Sequence, residues 1–224
     1  MKILKILTSW WKKLVVLSQN FLAPEDVKIK KLLDLPAGLM RDLLPKSPVY
    51  SKNIFVLFDY DNKIVRLIVK SIKYKNNASL RKRVAGYLYE EIMEMASEIS
   101  LFEGSGPLLV PMPMSKMEKK NRGFNQCEEL VKEIKKMAGD NLAVSYNILK
   151  KVRETQRQTT LSRTERALNV ANSMVAVPLK IGTATFRTII VLDDVYTTGA
   201  SLLEARRALL ATGAQRVIGF FIAH

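Results

Sequence analysis

Thr188-Ile189-Ile190-Val191-Leu192-Asp193-Asp194-Val195-Tyr196-Thr197-Thr198-Gly199-Ala200-Ser201 is the stretch that decides the fold. From Thr188 to Leu192 the residues are β-branched or aliphatic, as expected for a strand buried on both faces. Helical spacing takes over from Ser201 to Thr212, and Gly213 suits the position just past a helix end. A second buried strand reads from Val217 to Ile222. Strand, helix and strand in this order predict a parallel α/β sheet with right-handed crossovers. Ligands of such sheets bind at the carboxyl ends of the strands, where Asp193 to Ser201 fall. Thr197, Thr198 and Ser201 offer hydroxyls, and Gly199 lets the backbone approach a ligand closely. The amides of a helix N-terminus favour a phosphate. Two carboxylates beside a phosphate cradle repel the phosphate unless they contact sugar hydroxyls or a cation. The segment therefore predicts a ligand with a phosphate and a diol, or one bound with magnesium. In the competing reading one Asp caps the helix and the threonines fill a turn, which leaves the second Asp and three hydroxyls unexplained.

Upstream the chain continues the alternation. Ala143 to Leu149 reads as a strand, and residues 150–166 are polar and basic, with Ser162 and Glu165 in a capping-box pattern. Phe124, Cys127, Leu130, Val131, Ile134 and Met137 mark one face of a helix that Gly139 ends. Leu108 to Val110 is a short strand running into Pro111-Met112-Pro113. A long helix reads from about Ser79 to Leu101, a helical stripe from Ile64 to about Tyr74, and a strand from Ile54 to Phe58. Residues 1–50, broken by Pro24, Pro36, Pro45 and Pro48, read as a partly helical N-terminal extension to a domain of residues 51–224.

Composition bounds the function. The 224 residues carry 36 Lys+Arg against 21 Asp+Glu, a net charge of +15. Residues 1–50, 51–127 and 128–224 each net +5, so no basic tail stands apart from the fold. Such a surface attracts nucleic acid, acidic lipid or phosphorylated small molecules, and charge alone does not choose among them. A single Cys excludes a disulfide scaffold and every Cys-based zinc ribbon within the chain. The longest uncharged run near the N-terminus, Leu14 to Pro24, falls short of the ~20 apolar residues of a membrane span. Lys12 and Lys13 interrupt a would-be export signal, so the expected location is cytoplasmic. Ile3, Ile6, Leu7, Trp10, Trp11 and Leu14 recur at helical spacing among lysines. That pattern fits a basic amphipathic helix over residues 1–22, lying on a membrane, on a partner or on the protein's own body.

The Asp193 to Ser201 segment resembles the motif by which type I phosphoribosyltransferases bind 5-phosphoribosyl-1-pyrophosphate (PRPP). Val110 to Lys116 followed by Arg122-Gly123-Phe124-Asn125-Gln126 is similar to a pattern of the ComF-type members. So is Lys151 to Thr155 with Gln158, Leu161, Arg166, Asn169 and Val170. Asp59-Tyr60 and Ile72-Lys73-Tyr74 resemble further tyrosine and lysine-tyrosine positions of that family, so the resemblance covers about residues 53–224.

The resemblance implies a type I phosphoribosyltransferase fold and transfer of ribose 5-phosphate from PRPP, with magnesium, to an acceptor. It implies that Asp193 and Asp194 hold the ribose or magnesium. Thr197, Thr198, Gly199, Ala200 and Ser201 would hold the 5′-phosphate, and Ser115 and Lys116 the pyrophosphate. Lys151, Arg153, Arg157, Arg163 and Arg166 would lie on a basic loop that closes over the site. Arg122 reads either as a phosphate ligand or as an ion-pair partner. Asn125 and Gln126 read as ligand-binding or helix-capping residues. Many ComF-like proteins carry an N-terminal four-cysteine zinc ribbon, whereas residues 1–50 contain no Cys. No zinc is therefore expected, and any partner docking by such a ribbon is in doubt.

A second reading makes the chain a non-catalytic protein of this fold that binds single-stranded DNA or a DNA-uptake helicase, because ComF-like proteins are associated with natural transformation. The basic loop lacks the aromatic residues that a nonspecific single-strand site uses for stacking. Cys127 reads as core, and His224, the one histidine, as a terminal surface residue. The stretch that would meet the acceptor, residues 24–107, names no acceptor class.

Overall fold

A computed structural model describes residues 24–48, 51–155, 169–178, 180–181 and 184–224. Five parallel strands form the central sheet in the order β1-β9-β8-β2-β3, with β1 Ile54–Phe58, β2 Leu108–Pro111, β3 Ala143–Val144, β8 Thr188–Val195 and β9 Arg216–Ala223. β8 lies between β9 and β2, with Leu192 opposite Phe220 on one side and Pro111 on the other. The predicted α/β architecture with a parallel sheet is thus observed.

Helices with apolar stripes cover both faces of the sheet. α1 spans Glu25–Leu33, α2 Ala37–Leu43, α3 Lys63–Lys75, α4 Ala78–Glu103, α5 Lys116–Arg122, α6 Gln126–Ala138 and α7 Ala200–Leu210. Asparagines set three of the starts. Asn62 accepts from the amides of Ile64 and Val65, Asn77 from Leu80, and Asn125 from Cys127. α3 ends at Asn76 in the left-handed conformation (φ 48°), so the chain reverses directly into α4. On one face Ile190, Leu192, Ile218 and Phe220 meet Ile68, Leu88 and Ile134 of α3, α4 and α6. On the other, Ile189, Val191 and Phe221 meet Leu202, Ala205 and Leu209 of α7.

The described part of the N-terminal stretch is packed into the first of these cores. Ile29, Leu32, Met40 and Leu44 are buried there. Arg83 of α4 donates to the carbonyls of Leu33 and Leu35, and the Tyr87 hydroxyl donates to Ala37. The amphipathic pattern of residues 1–22 and the capping-box pattern at Ser162 lie outside the described residues.

Three elements differ from the sequence reading. The strand expected over 143–149 is two pieces in different sheets, β3 and β4 (Leu149–Lys151), separated by a turn. β4 pairs antiparallel with β5 (Met174–Ala176), and β6 (Lys180–Ile181) pairs with β7 (Ala184–Thr185). These segments are too short for a periodic signal. α5 was not anticipated either, being a seven-residue helix set by a local capping box rather than by an apolar face. Finally, β8 runs on to Val195, so the acidic pair lies in the strand rather than after it.

Among the described residues no helix is long and apolar enough to cross a membrane.

Candidate functional site

The carboxyl ends of β8, β2 and β9 form one edge. Asp194 is buried and Asp193 half-buried at the end of β8. Asp194 is held from three sides. Lys73, near the end of α3, places Nζ 2.8 Å from Oδ2. The Gln126 amide donates to the same oxygen at 3.0 Å, and the Val195 amide donates to Oδ1 at 2.9 Å. Asp193 Oδ1 accepts from the Asp194 amide at 2.8 Å and lies 3.5 Å from the Cys127 thiol. Oδ2 of Asp193 has no partner among the described residues, so this carboxylate keeps an acceptor for a ligand. Burial, and next the charge of Asp194, push the Asp193 carboxyl up to about 7. Burial draws the Lys73 ammonium toward neutrality, but Asp194 outweighs this and holds its pKa above the ordinary lysine value.

After β8 the chain turns through Tyr196 to Gly199. The Tyr196 amide donates to Ala223 of β9. Gly199 stands at φ 76°, the left-handed region, and a Cβ there would lie 2.8 Å from the Tyr196 hydroxyl. It precedes α7 with no side-chain cap, so neither Asp caps this helix. Thr197 is exposed, Thr198 and Ser201 are half-buried and Ala200 is buried. The Thr198 hydroxyl is buried with no hydrogen-bond partner among the described residues, an unmet group on the loop predicted to hold phosphate.

The Arg-Gly-Phe-Asn-Gln run works as a brace. Gly123 ends α5 at φ 85°. Asn125 caps α6 through its oxygen and donates through its amide to the Met112 carbonyl at 3.0 Å, joining α6 to the end of β2. Arg122 donates to the Gln126 side-chain oxygen, and its guanidinium lies 5.3 Å from the Tyr74 ring centroid. Of the readings left open for these residues, Asn125 takes capping, while Arg122 and Gln126 link Tyr74 to Asp194.

Ser115 is likewise engaged: it caps α5 by accepting from the Glu118 amide, and Glu118 accepts in return from the Ser115 amide. Lys116 lines a groove of about 610 Å³ at the same edge, with Met114, Lys119, Tyr146, Lys150 and Lys151. Lys119 pairs with Glu128 and Lys151 with Glu118. Lys116 and Lys150 have no ion pair among the described residues. Arg153 donates to the carbonyls of Asn169 and Ala171. Arg157, Arg163 and Arg166 lie outside the described residues.

Sequence reasoning underrated four residues. Lys73 carried a resemblance but no role, because its partner is 121 positions away. Cys127 is core, as expected, yet its thiol faces Asp193. Tyr146 lines the groove beside Lys150 and Lys151. His224 is exposed, as expected, but its backbone also bonds Phe58 and Tyr60, and its ring lies 5.4 Å from that of Tyr196. No signal short of the topology would have placed it there.

Among the described residues no group of three or more His, Cys, Asp or Glu could hold a metal. Magnesium is the exception in needing no such group, since it binds through one or two carboxylates and substrate phosphates while keeping several waters. The open oxygen of Asp193 fits that pattern.

No family model matches the chain. It is similar to Competence protein F of Haemophilus influenzae, with 23% identity over 176 residues, 78% of this chain and 73% of that protein. It is 29% identical to Competence protein ComFC of Streptococcus pneumoniae over 164 residues, 73% of this chain and 64% of that protein. To Competence protein ComFC of Bacillus subtilis it is 33% identical over 114 residues, 51% of this chain and 42% of that protein. The similarities are thus to proteins named for competence.

Proposed function

We propose that the chain is a phosphoribosyltransferase of ComF type, acting in competence or DNA uptake as the names of its relatives suggest. The observation that carries this reading is the end of β8. There a half-open carboxylate at Asp193 is followed by a helix start with no side-chain cap and by the buried hydroxyl of Thr198, which has no partner among the described residues. A ligand with a diol and a phosphate meets all three needs.

In this reading Asp193 accepts from the ribose hydroxyls, while Asp194, spent on Lys73 and Gln126, keeps the strand end in place. Thr197 to Ser201 receive the 5′-phosphate through hydroxyls and helix amides. Lys116, exposed and lining the groove, attracts the pyrophosphate. Ser115 contributes by capping α5, which orients Lys116, rather than by contact. The C1–O bond of PRPP breaks, pyrophosphate leaves with the electron pair, and the acceptor supplies the pair for the new bond to C1. Magnesium, held at Asp193 and on the substrate, would neutralise charge on the leaving pyrophosphate. Positioning and charge stabilisation carry the rate.

Calorimetric titration of PRPP with magnesium into wild type and Asp193→Asn/Asp194→Asn tests this. Binding by wild type that the double variant loses is the expected result. A folded wild type that binds no PRPP would overturn the reading.

A second reading rests on a different observation. The groove joins four lysines to a partly exposed Tyr146, the combination of charge and ring that single-stranded DNA requires. Binding there should weaken steeply with salt as counterions are released. An affinity indifferent to salt would remove it.

A further inference from the structure

The second half of α4 is acidic on a basic protein. From Leu88 to Glu103 it holds five Glu and no Lys or Arg, in a chain of net charge +15. One side of α4 is covered only in part. Arg83 donates to the carbonyls of Leu33 and Leu35, the Tyr87 hydroxyl donates to Ala37, and Arg41 of α2 pairs with Glu90 and Glu91. α1 and α2 thus follow α4 as far as Glu91. Glu94, Glu98 and Leu101 continue that side at helical spacing, and all three are exposed. Leu101 is 84% and its neighbour Phe102 89% exposed, more than any other large apolar side chain among the described residues. Glu94 and Glu98 have no ion pair among the described residues. The last turn of α4 holds no basic residue against the negative end of the helix. Acidic and apolar together, this face repels nucleic acid and anionic lipid and suits a basic amphipathic segment.

Residues 1–22, outside the described residues, have that composition. They hold Lys2, Lys5, Lys12 and Lys13, no acidic residue, and Ile3, Ile6, Leu7, Trp10, Trp11 and Leu14 at helical spacing. Their point of attachment is also suitable. Glu25 and Asp26, at the start of α1, pair with Lys75, three positions before α4 begins. Leu101 lies about 35 Å along α4 from its start. Twenty-two residues span about 33 Å as a helix and up to about 75 Å extended. Laid back along α4 they run antiparallel to it, and Lys2 and Lys5 fall nearest its negative end.

We propose that residues 1–22 of this chain dock on the uncovered face of α4 formed by Glu94, Glu98, Leu101 and Phe102. The lysines meet the glutamates, and the apolar residues cover Leu101 and Phe102. The surface and its occupant are independent of the transfer reading. A membrane cannot hold the same apolar residues at the same time.

Both tryptophans of the chain, Trp10 and Trp11, lie in the segment, so tryptophan fluorescence reports on it alone. Acrylamide quenching is measured on the full chain, with folding checked by circular dichroism and mass by sedimentation. The wild-type monomer should shield its tryptophans relative to the urea-unfolded chain. Glu94→Lys/Glu98→Lys should lose that shielding while staying folded, and so should Leu101→Ser/Phe102→Ser. Adding Lys2→Glu/Lys5→Glu to the charge-reversed chain should restore it, which a folding defect would not allow. Wild-type tryptophans as accessible as in urea overturn the proposal. So does shielding that survives both variants, since the segment then lies elsewhere. Shielding lost on dilution, as a dimer dissociates, makes the occupant a second copy's segment and overturns docking within one chain. Shielding that appears only with vesicles of anionic phospholipid overturns it in favour of a membrane.

Discussion

Lys73 Nζ lies 2.8 Å from Asp194 Oδ2, so a cation from the end of α3 neutralises the deeper carboxylate at the end of β8. The Gln126 amide shares that oxygen. Replacing Lys73 by Met leaves a buried carboxylate with one side-chain donor. Losing a hydrogen bond to a charged group costs about 1.5–3 kcal/mol. Urea titration should show that loss for Lys73→Met, and the Lys73→Met/Asp194→Asn pair should recover part of it because no charge is left stranded. Losses that simply add would mean that the two groups do not cooperate.

Asp193 gives the protein a pH dependence of its own. Its carboxyl is pushed from 3.8 in the ordinary state to about 7, first by burial and then by the charge of Asp194. The native state thus binds a proton that the unfolded chain releases between those values. The stabilising contribution is full below the lower value and disappears as pH rises through the upper one. Urea midpoints of wild type relative to Asp193→Asn should therefore fall from pH 5.5 to pH 8. A difference that stays flat would show that the carboxyl titrates normally.

The parts of this arrangement that repeat along the chain could be read from it. Ile54 to Phe58, the helix before Tyr74 and the buried runs of β8 and β9 are continuous or periodic apolar patterns, and the structure places them within a few residues of expectation. The turn from Asp193 to Ser201 was legible because strand, acidic pair, hydroxyls and glycine are contiguous. Its bracing was not. Lys73, Gln126 and Asp194 come from three elements, and only the packing of α3 and α6 on one face of the sheet brings them together. The same holds for Asn125, whose bond to the Met112 carbonyl is invisible in a run that reads equally well as a ligand motif. β4 to β7 were missed because two- and three-residue strands carry no period.

Cys127 should be chemically silent in the folded protein. It is 1% exposed, and burial followed by the charges of Asp193 and Asp194 raises its thiol well above the usual value. Little thiolate forms, and the thiolate is the reactive species. Mass spectrometry after iodoacetamide at pH 8 should find the native chain unmodified and the urea-unfolded chain alkylated. Rapid labelling of the native chain would mean that the β8 end opens more readily than its hydrogen bonds suggest.

Two glycines allow stability to be separated from ligand binding. Gly219 of β9 lies beneath α7, and a Cβ there would come 2.6 Å from the Phe221 ring and 2.7 Å from Leu202. Neither neighbour can retreat freely, since Phe221 is 2% and Leu202 8% exposed. Overpacking of this kind costs about 1–3 kcal/mol. Gly219→Ala should therefore lower Tm by about 2–12 °C, given about 2–4 °C per kcal/mol for a chain of this size. Gly199 differs because its strain lies in the loop itself. At φ 76° an alanine pays about 1–2 kcal/mol for the left-handed conformation and also meets the Tyr196 hydroxyl. Relief of that strain turns the amides of the first turn of α7 away from their present direction. Both variants should melt earlier, but only Gly199→Ala should lose affinity for PRPP with magnesium, measured well below either melting point. An equal loss of affinity in both would show that the loop is set by the packing of α7 on the sheet rather than by its own glycine.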